Sequence, residues 1–247
     1  MTNLTEELRE LHIALQLVLR PTVSIEVGAW QAEFSHEIKN KLPEIDAWAF
    51  EANEYNYKAN VANAYKAGVH YTNMAITNFS GTTRFMMQEQ TLDGRVYGKE
   101  IGNNSLLQRT EGNIIYHAPH VVCTTLDAFF IESERVTATD RICLWIDVEG
   151  ASKEVLTASK TLLSQTQSVF IEVEHTPFWD DQWLFNDVDK FMREYGFESI
   201  AHDNQTELQN NHLYLKTELI NHIKVNELIT SWYRRVYGTE LKIATEI

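Results

Sequence analysis

The pattern of apolar and polar positions changes between two periods along this chain. In the first 20 residues, leucines recur at helical spacing and Pro21 ends the pattern, which predicts a docking helix over the sheet or against a second subunit. Apolar, β-branched runs then alternate with helical patterns. The predicted strands are 23–27, 45–50, 68–76, 142–146 and 168–173, and the predicted helices are 32–41, 53–66, 151–163 and 185–195. This alternation predicts a doubly wound, mostly parallel α/β sheet with helices on both faces.

The last part of the chain and one internal segment depart from this alternation. Residues 197–201 and 212–216 predict an antiparallel pair of closing strands, and residues 217–237 predict a C-terminal helix. Residues 88–118 are rich in glycine and have little periodicity. Because long segments of this kind in compact proteins often cover a site, we expect a mobile flap there. We expect a single domain over residues 1–247.

Two acidic residues stand where predicted strands end. Glu26 closes the first strand and Glu51 closes the second. In an open α/β sheet, ligands bind at the carboxyl ends of the strands, and an acid at the end of the second strand can accept hydrogen bonds from both hydroxyls of an adenosine ribose. The pair therefore predicts a cofactor that contains a nucleoside.

The turn after the first strand indicates which cofactor this is. Gly28 and Ala29 are followed by no second glycine, whereas a pyrophosphate-binding turn needs several. Glu26 and Glu33 would also repel a pyrophosphate. S-adenosylmethionine carries a sulfonium and an ammonium, so it suits an acidic turn better. An NAD-dependent oxidoreductase or epimerase, which would share Glu51, stays an alternative, as does a non-catalytic nucleoside-binding subunit.

Composition excludes several other classes. The chain has 247 residues and a formal net charge of −14, which argues against a nucleic-acid partner. Its two cysteines, Cys123 and Cys143, have no metal-binding spacing, and we expect buried thiols in a reducing compartment. The sequence shows neither a secretory signal nor an apolar run that could cross a bilayer. We expect a cytoplasmic protein with no membrane partner, and homo-oligomerisation stays open.

Acidic residues also close two later strands. Asp147 and Glu149 follow the most apolar strand, and Glu172, Glu174 and His175 close the next. Asp147, Glu174 and His175 can hold Mg²⁺, which could lower the pKa of a substrate hydroxyl. Alternatively, Asp147 or His175 acts alone as a general base. Glu149 is equally consistent with a catalytic role and with an acid at a helix N-terminus.

Several of these segments, taken in order, resemble one family. They are Ile25-Glu26-Val27-Gly28-Ala29, Phe50-Glu51-Ala52-Asn53, Ala75-Ile76-Thr77-Asn78, Asn104-Ser105-Leu106, Thr125-Leu126-Asp127, Ile146-Asp147-Val148-Glu149-Gly150-Ala151 and Glu172-Val173-Glu174. The chain from about residue 23 to about residue 216 resembles the FkbM-type S-adenosylmethionine-dependent methyltransferases. The Asp-Val-Glu-Gly-Ala segment is the most specific of these motifs.

The resemblance implies a Rossmann-like methyltransferase sheet and methylation of a hydroxyl group on a small molecule, such as a sugar, a glycoside or a natural product. It implies that Glu26 and Gly28 line the methionine end of S-adenosylmethionine, that Glu51 holds the ribose, and that Ala75 and Ile76 flank the adenine. The remaining cofactor residues that it implies are Ala29, Ala52, Asn53 and Ser105. Asn53 can also cap the next helix, as Glu26 and Glu51 can. The sequence departs from the family pattern at Ala52, where proline is common, and at Ala32, where glycine is common.

Overall fold

A mixed α/β sheet forms the centre of the computed structural model, which describes residues 3–92, 94–98, 102–110 and 112–238. The predicted domain also includes residues 1–2 and 239–247, which lie outside the described residues. In chain order, the strands are β1 (Val23–Val27), β2 (Asp46–Glu51), β3 (His70–Asn73), β4 (Ala75–Ile76), β5 (Gly81–Arg84), β6 (Met87–Thr91), β7 (Ile114–His117), β8 (His120–Thr124), β9 (Ile142–Ile146), β10 (Thr166–Glu174), β11 (Phe197–His202) and β12 (Gln209–Lys216).

The helices lie between these strands and at the two ends of the chain. They are α1 (Leu4–Leu19), α2 (Glu33–Lys41), α3 (Glu54–Ala67), α4 (Ser152–Thr157), α5 (Lys160–Gln165), α6 (Phe185–Glu194), α7 (Thr217–Ile220) and α8 (Ile223–Tyr237), with a π-helical turn at Asp127–Glu132. No helix among the described residues combines the length and the apolar character that crossing a bilayer requires.

Seven strands form the main sheet in the order β11-β12-β10-β9-β1-β2-β3. All pairs from β10 to β3 are parallel, and β12 runs antiparallel to both β10 and β11. The predicted doubly wound, mostly parallel sheet with its antiparallel closing pair is therefore confirmed. Strands β1 and β9 are in the centre and are almost completely buried, which explains their continuous apolar and β-branched sequences.

Helix α1 docks within its own chain. Leu8, Leu11 and Leu15 pack in one apolar cluster with Phe170 of the sheet and with Trp232 of α8. The indole Nε1 of Trp232 donates a hydrogen bond to the carbonyl of Glu7 at 2.9 Å. Of the two docking positions predicted for this helix, the structure shows the one over the sheet.

Two predicted helices are interrupted. The predicted helix 151–163 is divided into α4 and α5 around Ser159, whose hydroxyl bonds the carbonyl of Val155 at 2.5 Å. The carboxylate of Asp127 accepts hydrogen bonds from the backbone N–H groups of Thr161 and Leu162 at 2.9 and 2.8 Å, so it caps α5 from a distant part of the chain. The predicted helix 217–237 is likewise divided into α7 and α8.

The segment predicted as a flap is partly regular. It contains most of β6 and all of β7, which pair with each other in antiparallel fashion. The prediction that residues 88–118 lack regular structure was therefore wrong at both ends of the segment. Residues 93, 99–101 and 111, which belong to the predicted flap, lie outside the described residues, and the mobility of the flap stays a prediction.

The ends of β1 and β9 approach each other more closely than side chains allow. Gly28 has a φ of +78°, and a Cβ atom built on it would lie 1.7 Å from the carbonyl oxygen of Asp147. The backbone N–H of Asp147 donates to the carbonyl of Val27 at 2.9 Å, which holds the two strand ends together. Glycine is thus required here both for its backbone conformation and for its size.

We expect Gly28→Ala to destabilise the protein much more than Gly68→Ala. Both glycines have a left-handed backbone, with a φ of +78° and +75°, but a Cβ on Gly68 would meet only Lys39 Cε at 3.3 Å. Gly68→Ala should cost about 1–2 kcal/mol of unfolding free energy. Gly28→Ala should cost about 1–3 kcal/mol more, because the strand ends must move apart. Urea unfolding of both variants measures this, and equal losses would contradict the close approach.

Candidate active site

A cavity opens at the carboxyl ends of the central parallel strands. It has an empty volume of about 690 Å³. Residues from the ends of β1, β2 and β9 form its wall, together with Gly102, Asn104 and Leu106 of the predicted flap. The side chains and backbone that line it belong to Val27, Gly28, Trp30, Phe50, Glu51, Ala52, Asn56, Met74, Ala75, Ile76, Phe85, Gly102, Asn104, Leu106, Asp147, Val148, Glu149 and Ala151.

Glu51 lines this cavity and is held by backbone donors on both of its oxygens. Its Oε2 accepts from the N–H of Trp30 at 2.6 Å, and its Oε1 accepts from the N–H of Asn53 at 2.7 Å. Burial raises the pKa of Glu51 to about 7, although these two hydrogen bonds oppose the shift. The side chain of Asn56 also bonds this carboxyl group. Three donors therefore fix Glu51 in place, and one of the roughly four acceptor positions of its carboxylate is left for a hydroxyl group.

The other residues predicted to bind the cofactor divide into two groups. Gly28, Ala52, Ala75 and Ile76 line the same cavity as Glu51. The remaining four do not line it and are buried in the surrounding structure. These are Glu26, Ala29, Asn53 and Ser105.

The contacts of three of these buried residues show what they do. Glu26 Oε2 accepts from the backbone N–H of Ser35 in α2 at 2.8 Å, so its side chain serves the start of that helix. Burial raises its pKa to about 7. Asn53 Oδ1 accepts from the N–H of Tyr55 at 2.9 Å and caps α3. Ser105 Oγ donates to the carbonyl of Glu149 at 2.6 Å and thus ties the flap segment to the end of β9. The sequence alone could not distinguish these supporting roles from direct contact.

Three acids from two neighbouring strand ends meet at the edge of the cavity. One carboxylate oxygen each from Asp147, Glu149 and Glu172 lies within 4.8 Å of the other two. We refer to these three residues as the carboxylate cluster. The register of the sheet explains it, because Ile171 of β10 pairs with Ile146 of β9 and the next residues are therefore at the same level.

The predicted metal ligands Glu174 and His175 are not part of this cluster. Glu174 is two residues past the register position of Asp147, although it is on the same face of the strand as Glu172. His175 follows the last residue of β10 and is exposed. Its Nε2 is 2.5 Å from Asn210 Oδ1, and its ring packs against Phe185. The structure thus brings Glu172 to Asp147 in place of the two residues that the sequence suggested, and it gives His175 the role of a partnered loop residue.

The acids in and beside the cluster have raised pKa values. Burial is the main cause of the raised pKa of Asp147, Glu149 and Glu172, and for Glu149 and Glu172 the charge of Asp147 adds to it. Burial also raises the pKa of Glu174 to about 7. Groups that titrate near neutral pH can take up and release protons under physiological conditions.

The backbone that presents Glu149 is in an uncommon conformation. Glu149 has a φ of +50° and Gly150 a φ of +84°. A Cβ on Gly150 would lie 2.3 Å from the ring of Trp179, which is buried beneath this turn. The guanidinium of Arg109 stacks over the same ring, with its carbon atom 4.4 Å from the ring centroid. Non-glycine residues with positive φ often occur at functional sites.

Sequence reasoning did not assign a role to several residues at this site. Asn56, Asn104 and Leu106 line the cavity, and the guanidinium of Arg109 acts on the charges of Glu149 and Glu174. Asn104 and Leu106 flank Ser105 in one of the motifs that resemble the family. They line the cavity, whereas Ser105 does not. Arg109 is distant in sequence from both acids, and no local pattern indicated it.

Comparison with known proteins gives the family. The family model described as Methyltransferase FkbM domain matches residues 26–199, which is more than half of the chain. The chain belongs to this family. It is a methyltransferase, and the resemblance noted in the sequence is confirmed.

Several solved structures are similar to the chain at low sequence identity. A co-crystal structure of WbdD with a kinase inhibitor is 13% identical at a TM-score of 0.47, and the match covers 85% of this chain but 39% of WbdD. Precorrin-6y C5,15-methyltransferase from Geobacter metallireducens is 12% identical at a TM-score of 0.43, with 85% and 87% of the two chains covered. 1,6-Didemethyltoxoflavin-N1-methyltransferase from Burkholderia thailandensis, with 1,6-didemethyltoxoflavin and S-adenosylhomocysteine bound, is 10% identical at a TM-score of 0.41, with 85% and 78% of the two chains covered. No curated protein matches the sequence.

We expect Glu51→Gln to flatten the dependence of stability on pH. The pKa of Glu51 is about 7 in the folded protein against 4.5 ordinarily, so the folded state binds more protons between these values. Its contribution to the unfolding free energy is therefore complete below pH 4.5 and is lost as the pH rises through 7, by roughly 1.4 kcal/mol per pKa unit. Glu51→Gln should remove this part of the slope.

Urea unfolding between pH 5 and 8 without cofactor measures the slope. The control is Glu44→Gln, which removes an exposed carboxylate before β2. Glu44→Gln should keep the slope of the unmodified protein. The prediction is contradicted if Glu51→Gln keeps that slope as well.

Proposed function

We propose that this methyltransferase uses S-adenosylmethionine to methylate a hydroxyl group of a small molecule, such as a sugar, a glycoside or a natural product. The observation that carries the proposal is the position of Glu51 in the wall of the same cavity as Asp147. One acid can bind the nucleoside part of the donor there, and the other can act on the acceptor. The membership of the chain in the FkbM methyltransferase family supports the reaction class.

The donor fits the contacts of Glu51. The carboxylate already accepts from the N–H groups of Trp30 and Asn53 and from the side chain of Asn56, and the acceptor position that is left suits a ribose hydroxyl. Ala75 and Ile76 give an apolar surface for the adenine in the same cavity. The donor supplies a methyl group made electrophilic by the sulfonium.

NAD is a poorer fit for this cavity. The turn after β1 has Gly28 but no further glycine, so its backbone offers a pyrophosphate less room. Asp147 and Glu149 line the cavity next to that turn and would repel the phosphates. The same acids attract a sulfonium and an ammonium, which favours S-adenosylmethionine.

The acceptor is activated by Asp147 in this proposal. Its carboxylate takes the proton of the acceptor hydroxyl, the oxygen forms a bond to the methyl carbon, and the bond from that carbon to sulfur breaks. The electron pair stays on sulfur, so the products are the methyl ether, S-adenosylhomocysteine and a protonated Asp147. Because burial raises the pKa of Asp147, its carboxylate is a stronger base than an exposed aspartate.

The acceptor would meet the donor between the end of β9 and the flap segment. Gly102, Asn104 and Leu106 line the same cavity as Asp147 and Glu149. Ser105 joins the two segments through its bond to the carbonyl of Glu149. A side chain set of this kind offers apolar contact and an amide, which is consistent with a neutral, hydroxylated acceptor.

The first test is to find an acceptor and to identify the atom that is methylated. Glycosides and other hydroxylated natural products would be incubated with the full-length protein and methyl-labelled S-adenosylmethionine, and the products would be examined by mass spectrometry and NMR. A methyl ether supports the proposal. A methyl group on nitrogen or carbon would contradict the proposed acceptor chemistry.

We expect Asp147→Asn to lower turnover by about 10²–10⁴-fold, as the loss of a general base does. The substitution keeps the size of the side chain and removes its charge, so binding of S-adenosylhomocysteine should change little. Steady-state kinetics with the acceptor and calorimetry with S-adenosylhomocysteine measure the two effects. The control is Asp46→Asn at the start of β2, because the amino end of this strand is away from the cavity at the carboxyl ends. Full turnover in Asp147→Asn would exclude this aspartate as the base.

A further inference from the structure

The carboxylate cluster holds more negative charge than the described residues around it compensate. Asp147, Glu149 and Glu172 bring three carboxylate oxygens within 4.8 Å of one another. Arg109 acts on the charges of Glu149 and Glu174. Among the described residues, no Lys, Arg or His side chain forms a salt bridge within 4.0 Å with Asp147, Glu149 or Glu172.

Oxygen atoms of two acids at this position also have no hydrogen-bond partner. Glu174 is 2% exposed, and its Oε2 has no partner among the described residues, although the side chain of Gln182 bonds the same carboxyl group. It is on the same face of β10 as Glu172 and is close enough to act on the charge of Asp147. Oε1 of Glu172 is likewise inaccessible and has no partner, although Gln209 bonds the same carboxyl group. Buried oxygens without a partner are costly unless something else binds them.

From these contacts we propose a site for one divalent cation of the magnesium class, with Asp147, Glu149 and Glu172 as its protein ligands. Carboxylate oxygens and water are the ligands that Mg²⁺ prefers, and it commonly leaves positions for substrate oxygens. Asp147 and Glu149 line the cavity, so an ion at this site would face it. Glu174 lies beside the site and accepts hydrogen bonds from the water molecules of the ion.

The ion would have a defined role in the reaction. It would hold the acceptor oxygen next to the donor and lower the pKa of the hydroxyl, while the carboxylate oxygen of Asp147 that does not bind the ion takes up the proton. This role rests on the proposed function, because it assumes a hydroxylated acceptor in the cavity. Binding of the ion does not rest on it, because the ligands belong to the protein alone.

Binding of Mn²⁺ tests the site without any acceptor. Mn²⁺ is a magnesium-class ion whose free form is followed by electron paramagnetic resonance, and the titration uses the full-length protein and the metal alone. We expect one ion per chain, competition by Mg²⁺, and affinity at least roughly 10–100-fold weaker in Glu172→Gln, since even changes to residues around a metal ligand cost that much.

A matched control is available in α4. Glu154 is also an acid with an inaccessible, unpartnered oxygen and a pKa raised mainly by burial, but its charge interacts with Lys153 and Asp181 instead of the cluster. Glu154→Gln should therefore keep the Mn²⁺ affinity of the unmodified protein. Calorimetry with S-adenosylhomocysteine should show that both variants still bind the cofactor product.

The outcomes separate this site from the proposed function. The site is overturned if the unmodified protein binds no Mn²⁺, or if Glu172→Gln and Glu154→Gln weaken Mn²⁺ binding equally. If Mn²⁺ binds as expected while S-adenosylhomocysteine does not bind, the cofactor assignment fails and the cation site stands. If Glu172→Gln does not fold, Mn²⁺ binding to the unmodified protein and its loss in Asp147→Asn decide the question.

Discussion

The parallel pairing of β1 with β9 determines the rest of the site. The N–H of Asp147 donates to the carbonyl of Val27, and Gly28 leaves no side chain between the two strand ends. This close approach brings Asp147 to the wall of the cavity that Glu51 shares from β2. The register continues to β10 and puts Glu172 at the level of Asp147. This backbone contact and the strand register together place acids from several strands around one cavity.

The resulting site concentrates acids where water is scarce. Burial raises the pKa of Glu51, Asp147, Glu149 and Glu172, so the folded protein works against the ionised form of each. Two backbone N–H groups partly stabilise the ionised form of Glu51, and the guanidinium of Arg109 partly stabilises that of Glu149. Burying several acids together lowers the stability of the folded protein, and arrangements of this kind are typical of active sites. A cationic donor, and a cation among the carboxylates, would each reduce the cost.

The sequence predicted most of the fold and part of the cavity wall. Strand ends can be found from apolar runs, so Glu26 and Glu51 were expected to face one crevice and Asp147 to lie where donor and acceptor meet. Glu51 and Asp147 line one cavity, whereas Glu26 is buried and bonds the start of α2. Side-chain direction and the register between strands are properties of the folded sheet. The sequence therefore suggested His175, which lies past the end of β10 and contacts Asn210 and Phe185, and it assigned no role to Glu172, which the register puts level with Asp147. The sequence did not predict that Asp127 caps α5 either, because Asp127 is distant in sequence from the N–H groups of Thr161 and Leu162 that it binds.

Calorimetric titration with S-adenosylhomocysteine and with NAD tests the central claim most directly, which is that Glu51 binds the ribose of a methyl donor. The account predicts that S-adenosylhomocysteine binds, that NAD gives no measurable heat, and that Glu51→Ala weakens S-adenosylhomocysteine binding by about 1.5–3 kcal/mol, the range for hydrogen bonds to a charged group. Glu44→Ala, at an exposed position, should bind as the unmodified protein does. Tight binding of NAD, or an affinity in Glu51→Ala within about twofold of the unmodified protein, would contradict the account, since a charged hydrogen bond is worth more than that.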